Sequence, residues 1–153
     1  MRSIHAFCAD SDPGALRLCR ELLTSRGYSV TSYNGAEALL EDVAETTPDL
    51  IILGTDMPGI DGMEAARRLR NREDTLHVPI LFISGDTNEE DVLYCLNVGG
   101  TDFLRKPLAP GELLAKVGYA LWRQREATDR AAALAPGARI AGRYEIIKHL
   151  DSG

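Results

Sequence analysis

The run DLIIL, residues 49–53, follows its opening acid with nothing but aliphatic side chains. A strand with one wet face alternates apolar and polar residues, whereas a strand covered on both faces need not. This run therefore predicts a central strand of a parallel sheet, with helices packed above and below. VPILFIS, residues 78–84, is a second strand of the same kind. Parallel strands need crossover connections, so the segments between them should be helical.

The rest of the chain alternates in step. Residues 3–9 form a short apolar strand, after which Asp12 can cap a helix with Pro13 at its first position, where a missing N–H costs nothing. Leu16, Cys19 and Leu23 share one face of that helix, and Gly27 ends it. YSVTSY (28–33) is strand-like; GAEALLEDVAE (35–45) is helical and stops before Pro48. GMEAARRLRN (62–71) is a helix whose Arg67, Arg68 and Arg70 lie near its C-terminal end and suit the helix dipole. A further helix spans 89–98 and ends at Gly99 and Gly100; TDFLRKP (101–107) is the fifth strand, closed by Pro107. Pro110 opens a last helix whose Leu113, Leu114, Val117 and Leu121 should face the core. Five βα units predict a doubly wound α/β fold of flavodoxin-like type: a three-layer sandwich around a parallel five-stranded sheet of order 2-1-3-4-5.

A chain of 153 residues, 44% hydrophobic, is long enough for one core. Its net charge of −6 gives no clustered positive surface for nucleic acid or an anionic membrane, and neither partner is expected. No run is long enough to span a bilayer, and the opening MRSIHAFCADSDP places acids where a signal peptide would stay apolar, so a cytoplasmic location is expected. Cys8, Cys19 and Cys95 are odd in number and set among apolar neighbours, as reduced core thiols are; His5, His77 and His149 share no ligand spacing.

In a doubly wound sheet, ligands bind beyond the C-terminal strand ends. That rule selects Asp10, Ser11 and Asp12 after the first strand, Gly54 to Asp56 after the third, Ser84 after the fourth and Lys106 after the fifth. The motifs ADSDP, PDLIILGTDMPGIDG, PILFISG and GGTDFLRKP around those positions resemble the receiver domain of two-component response regulators. The resemblance covers roughly residues 3–125. It implies Mg-assisted phosphoryl transfer to an aspartate, with Ser84 and Lys106 binding the transferred oxygens, Phe103 at the switch position and a cis bond before Pro107. It also implies signalling through the fourth helix, fifth strand and fifth helix.

Two positions depart from the family. The acceptor position, four residues before Pro58, is Gly54; a metal-carboxylate position, two before Pro13, is Ser11. Glycine has no nucleophile, and a neutral hydroxyl compensates Mg²⁺ poorly. The expectation is a degenerate, non-phosphorylatable pseudo-receiver, not an enzyme, with no catalytic residue, no metal ligand and Mg²⁺ absent or very weak. Its degenerate pocket comprises Asp10, Ser11, Gly54, Asp56, Ser84 and Lys106. The space beside Gly54 can be entered by Asp56, Lys106 or water, and Lys106 can pair with Asp10 or Asp56. Two rival readings remain: a working receiver using Asp56 or Asp10 as surrogate acceptor, and a small-anion sensor at Lys106 with the hydroxyls of Ser11, Thr55 and Ser84.

As a pseudo-receiver the domain would bind a protein partner or a second copy through the fourth-helix, fifth-strand, fifth-helix face. Phe103 is either a switch or core packing; Trp122 is either a partner anchor or a side chain lying along its helix. Residues 1–125 form the receiver-like unit, and 126–142 an extended last helix and linker. Leu113, Val117, Ala120, Gln124, Ala127, Ala131 and Leu134 recur at four-three spacing, a weak seam for a partner helix or a solvated linker. Residues 143–153, ending the stretch GRYEIIKHLDSG, resemble the opening strand of a Ser/Thr protein kinase domain, a possible fused output domain.

Overall fold

A computed structural model describes residues 3–85 and 89–134. Five strands, β1 (His5–Ala9), β2 (Ser29–Tyr33), β3 (Leu50–Gly54), β4 (Ile80–Ser84) and β5 (Asp102–Arg105), alternate with five helices. These are α1 (Pro13–Ser25), α2 (Ala36–Val43), α3 (Gly62–Arg70), α4 (Glu89–Asn97) and α5 (Pro110–Leu134). The strands form one sheet of order β2-β1-β3-β4-β5, and every pairing is parallel. This is the expected flavodoxin-like sandwich.

Successive strand residues point to opposite faces, and the core divides accordingly. Phe7, Ile51, Leu53, Ile80, Phe82 and Phe103 pack on one side with residues from α2, α3 and α4. Ala6, Cys8, Leu50, Ile52, Leu81, Ile83 and Leu104 pack on the other with residues from α1 and α5. β3 and β4 are buried at every position, as their unbroken apolar runs require. Cys8, Cys19 and Cys95 are buried thiols outside any disulfide. His5 begins β1, where its ring Nε2 lies 2.8 Å from Thr31 Oγ1; His77 is exposed, and His149 lies outside the described residues.

Three details differ from the sequence expectation. β3 ends on Gly54, one residue later, because Gly54 still pairs with Ile83 of β4. Arg70 does more than suit the helix dipole from the last turn of α3: its guanidinium donates to the carbonyls of Gly99, Thr75 and Val78 at 3.0, 3.1 and 2.8 Å, tying the loop before β4 to the end of α4. In α5 the fully buried face is Leu113, Val117 and Ala120, with Leu114 and Leu121 partly buried. The first three residues of the proposed seam are therefore consumed by the domain's own core, and along the rest Ala127, Ala131 and Leu134 are exposed. The tail from 135 to 153 lies outside the described residues.

Glycine does specific work where β3 meets α3. Gly62 is buried at the first position of α3, and its N–H donates to the Thr55 carbonyl at 3.2 Å. Asp61 caps the helix, accepting from Glu64 N at 2.8 Å. Gly59 takes φ +79° in the intervening loop, where Ile60 N donates to Glu37 Oε2 at 3.1 Å and so fastens the loop to α2.

Candidate functional site

The C-terminal strand ends bring Asp10, Ser11, Gly54, Asp56, Ser84 and Lys106 to one edge of the sheet. Asp10 follows β1 directly and is 1% exposed. Its Oδ1 accepts from the N–H of Asp12 at 3.2 Å, and its Oδ2 lies 2.9 Å from Lys106 Nζ. Lys106 follows β5 and reaches a second acid, Asp12 Oδ2, at 3.4 Å. Asp12 also caps α1 by accepting from Gly14 N at 2.9 Å. Capping is the role its place in the sequence predicts; pairing with the ammonium is an added one. Ser11 is exposed and donates its hydroxyl to the Asp56 carbonyl at 3.2 Å.

Gly54 explains how this arrangement fits. A Cβ placed on it would lie 2.6 Å from Asp10 Cγ and 2.7 and 2.9 Å from the two carboxylate oxygens. The space beside Gly54 is thus filled by the Asp10 carboxylate, which corrects the expectation of Asp56, Lys106 or water. The physical reason is reach and charge: Asp10 leaves the adjacent strand directly beside Gly54, and turning into the gap brings its oxygen against an ammonium. Of the two expected pairings for Lys106, the one with Asp10 forms. Asp56 is exposed on the loop.

Burial alone would pull the Lys106 pKa down, but the Asp10 and Asp12 carboxylates outweigh it and raise the pKa above the ordinary lysine value. The Asp12 pKa is lowered, first by the Gly14 N–H and further by Lys106. The signs predict the pH response. A raised lysine pKa contributes stability that is complete below the unfolded-state value and lost as pH climbs through the folded one; a lowered carboxylate pKa contributes stability above its unfolded value and loses it as pH falls through the folded one. Urea midpoints of the wild type are expected to fall on the alkaline side, through the lysine range, and a Lys106→Met variant should lack that component. An identical alkaline limb in both proteins would contradict the assignment.

A cleft of about 680 Å³ opens beside this pair, between the β3–α3 loop and α4. Its lining includes the polar Ser11, Thr55, Asp56, Asp61, Ser84 and Lys106 and the larger Met57, Met63, Tyr94 and Phe103. Sequence reasoning missed Met57, Met63 and Tyr94, which carry no spacing signal of their own. Phe103 is 6% exposed and belongs to the core. The bond between Lys106 and Pro107 is cis. Trp122 is 54% exposed on α5 and stacks on Tyr119 with ring centroids 5.9 Å apart.

The family model described as the response regulator receiver domain matches residues 6–118. The chain belongs to the response regulator receiver family. Response regulator MprA of Mycobacterium leprae is 36% identical over 129 residues, covering 84% of this chain and 55% of that protein. Transcriptional regulatory protein AfsQ1 of Streptomyces coelicolor is 38% identical over 122 residues, covering 78% of this chain and 53% of the other. The receiver thus spans about half the length of these curated relatives. Among solved structures, a response regulator from Chloroflexus aurantiacus superposes with TM-score 0.77 at 27% identity, covering 80% of this chain and all of that one. Chemotaxis protein CheY4 of Vibrio cholerae, at 24% identity and TM-score 0.74, shares the fold.

Receiver chemistry implies Mg²⁺, and the residues here do not fit it. Mg²⁺ needs near-octahedral oxygen ligands and is held by carboxylates with waters. In this receiver Gly54 offers no side chain, Ser11 is neutral, and the buried Asp10 carboxylate is against an ammonium. Among the described residues, no group of three or more His, Cys, Asp or Glu is placed to hold a metal ion. No helix among them is long and apolar enough to cross a membrane.

Proposed function

We propose that this receiver is a pseudo-receiver: a non-phosphorylatable, non-enzymatic module of two-component signalling that acts by binding a protein partner or a second copy. One observation carries the reading. The place where an acceptor side chain would leave Gly54 is taken by the carboxylate of Asp10, held by Lys106 at 2.9 Å. An active receiver needs a free nucleophile at that place, and here a side chain has no room.

The rival readings draw less support. Asp10 as surrogate acceptor would have to leave a buried ion pair, and Asp56 is an exposed loop acid two residues beyond the strand end. An anion at Lys106 would meet two carboxylates within 3.4 Å of the same ammonium. For the contact face, Leu93 and Leu96 on α4 and Tyr119 and Trp122 on α5 are exposed large apolar side chains. The extended α5 with residues 126–142 would connect the module to an output domain, and the kinase-like stretch at 143–153 supports a kinase in that role.

Treatment with a small-molecule phosphodonor and Mg²⁺, followed by intact-mass and peptide mass spectrometry, tests the proposal. No aspartyl phosphate is expected under conditions that label an active receiver in parallel. A stoichiometric adduct on Asp10 or Asp56 would overturn it.

A further inference from the structure

We infer that the ammonium of Lys106 is the resident cation of this pocket, and that it bars divalent metal in addition to the deficit left by Ser11 and Gly54. The inference rests on the pseudo-receiver reading and names what enforces it. Asp10 Oδ2 is shielded from solvent, and Lys106 Nζ stands 2.9 Å away as its counter-charge. A divalent ion would need such a carboxylate oxygen at about 2.0–2.1 Å, which would place it close against a positive charge in a half-shielded cleft, where like-charge repulsion is weakly screened.

Gly54 belongs to the same device. With any side chain at 54 the Asp10 carboxylate could not occupy its present position, and the ammonium would lose its closest counter-charge. Asp10, Gly54 and Lys106 act as one unit, with Asp12 as a second carboxylate at 3.4 Å. The ammonium satisfies the acids at a smaller dehydration cost than Mg²⁺, which sheds its waters reluctantly. The charge state of the pocket is then independent of divalent-cation concentration.

Mn²⁺ binding to the full chain, read by water-proton relaxation, tests this. Wild type is expected to bind nothing up to about 10 mM. Lys106→Met should bind at least about tenfold more tightly than any wild-type background, while Lys106→Arg, which keeps the charge, should behave as wild type. A folded Lys106→Met that binds no better than wild type would overturn the inference and leave the pseudo-receiver reading intact; so would millimolar binding by Lys106→Arg. Should Lys106→Met fail to fold, the ¹⁵N resonance of the wild-type Lys106 ammonium decides. Constancy on adding Mg²⁺ to about 10 mM supports the inference, and displacement refutes it. A phosphoryl adduct on wild type is the separate result that would sink the underlying reading.

Discussion

Replacing Gly62 by alanine is expected to lower the unfolding free energy by about 3 kcal/mol, the upper range for forcing an extra methyl into a packed interior. A Cβ on Gly62 would stand 2.3 Å from the Gly54 carbonyl oxygen and 3.0 Å from Thr55 Cα. These are backbone atoms at the end of β3, and they cannot rotate aside. β3 is hydrogen-bonded to β1 on one side and β4 on the other, so its end cannot shift without disturbing both ladders. The remaining relief is for α3 to lift, which strains the Gly62–Thr55 hydrogen bond and the Asp61 cap. Gly111→Ala is the control: a Cβ there meets nothing within 4 Å, and alanine favours helix over glycine. Urea denaturation of the two variants should separate them clearly. A Gly62→Ala midpoint equal to wild type would mean that the close approach of α3 to β3 is misplaced.

Restoring an acid at the strand tip is expected to harm the protein without restoring phosphoryl acceptance. Gly54→Asp introduces a Cβ 2.6 Å from Asp10 Cγ, so the Asp10 carboxylate must leave its seat. Two carboxylates then compete for one ammonium, and like charges in one site oppose each other's ionisation. A loss of about 3 kcal/mol is expected, as for breaking a buried ion pair. A double-mutant cycle separates charge from crowding. Asp10→Asn in wild type removes the partner of Lys106 and should destabilise; in the Gly54→Asp background it relieves repulsion and should stabilise. That change of sign is the decisive result. The same sign in both backgrounds would show that Asp10 and Lys106 are not the coupled pair described, and full phosphoryl acceptance by Gly54→Asp alone would show that Ser11 is no defect.

The fold could be read from DLIIL and VPILFIS because an unbroken apolar strand has few stable homes, and the strand-end rule then chose the right edge of the sheet. What escaped was orientation. That Asp10 turns into the gap beside Gly54 depends on two residues far apart in sequence becoming neighbours across the β1–β3 pairing, and no local pattern reports a rotamer. Capping by Asp12 is a local signal legible in sequence, whereas its approach to Lys106 is a contact across 94 residues of chain. The four-three spacing of α5 is ambiguous on its own. Leu113, Val117 and Ala120 satisfy that periodicity equally well by packing on their own sheet.

The length of α5 gives the domain mechanical reach. From its last fully buried residue, Ala120, to Leu134 the helix continues for 14 residues, about 21 Å at 1.5 Å per residue. A partner that tilts the root of this rod by roughly 10° would swing its far end by about 4 Å. Such leverage converts a small adjustment at the anchored end into a displacement large enough to engage or release a neighbouring surface.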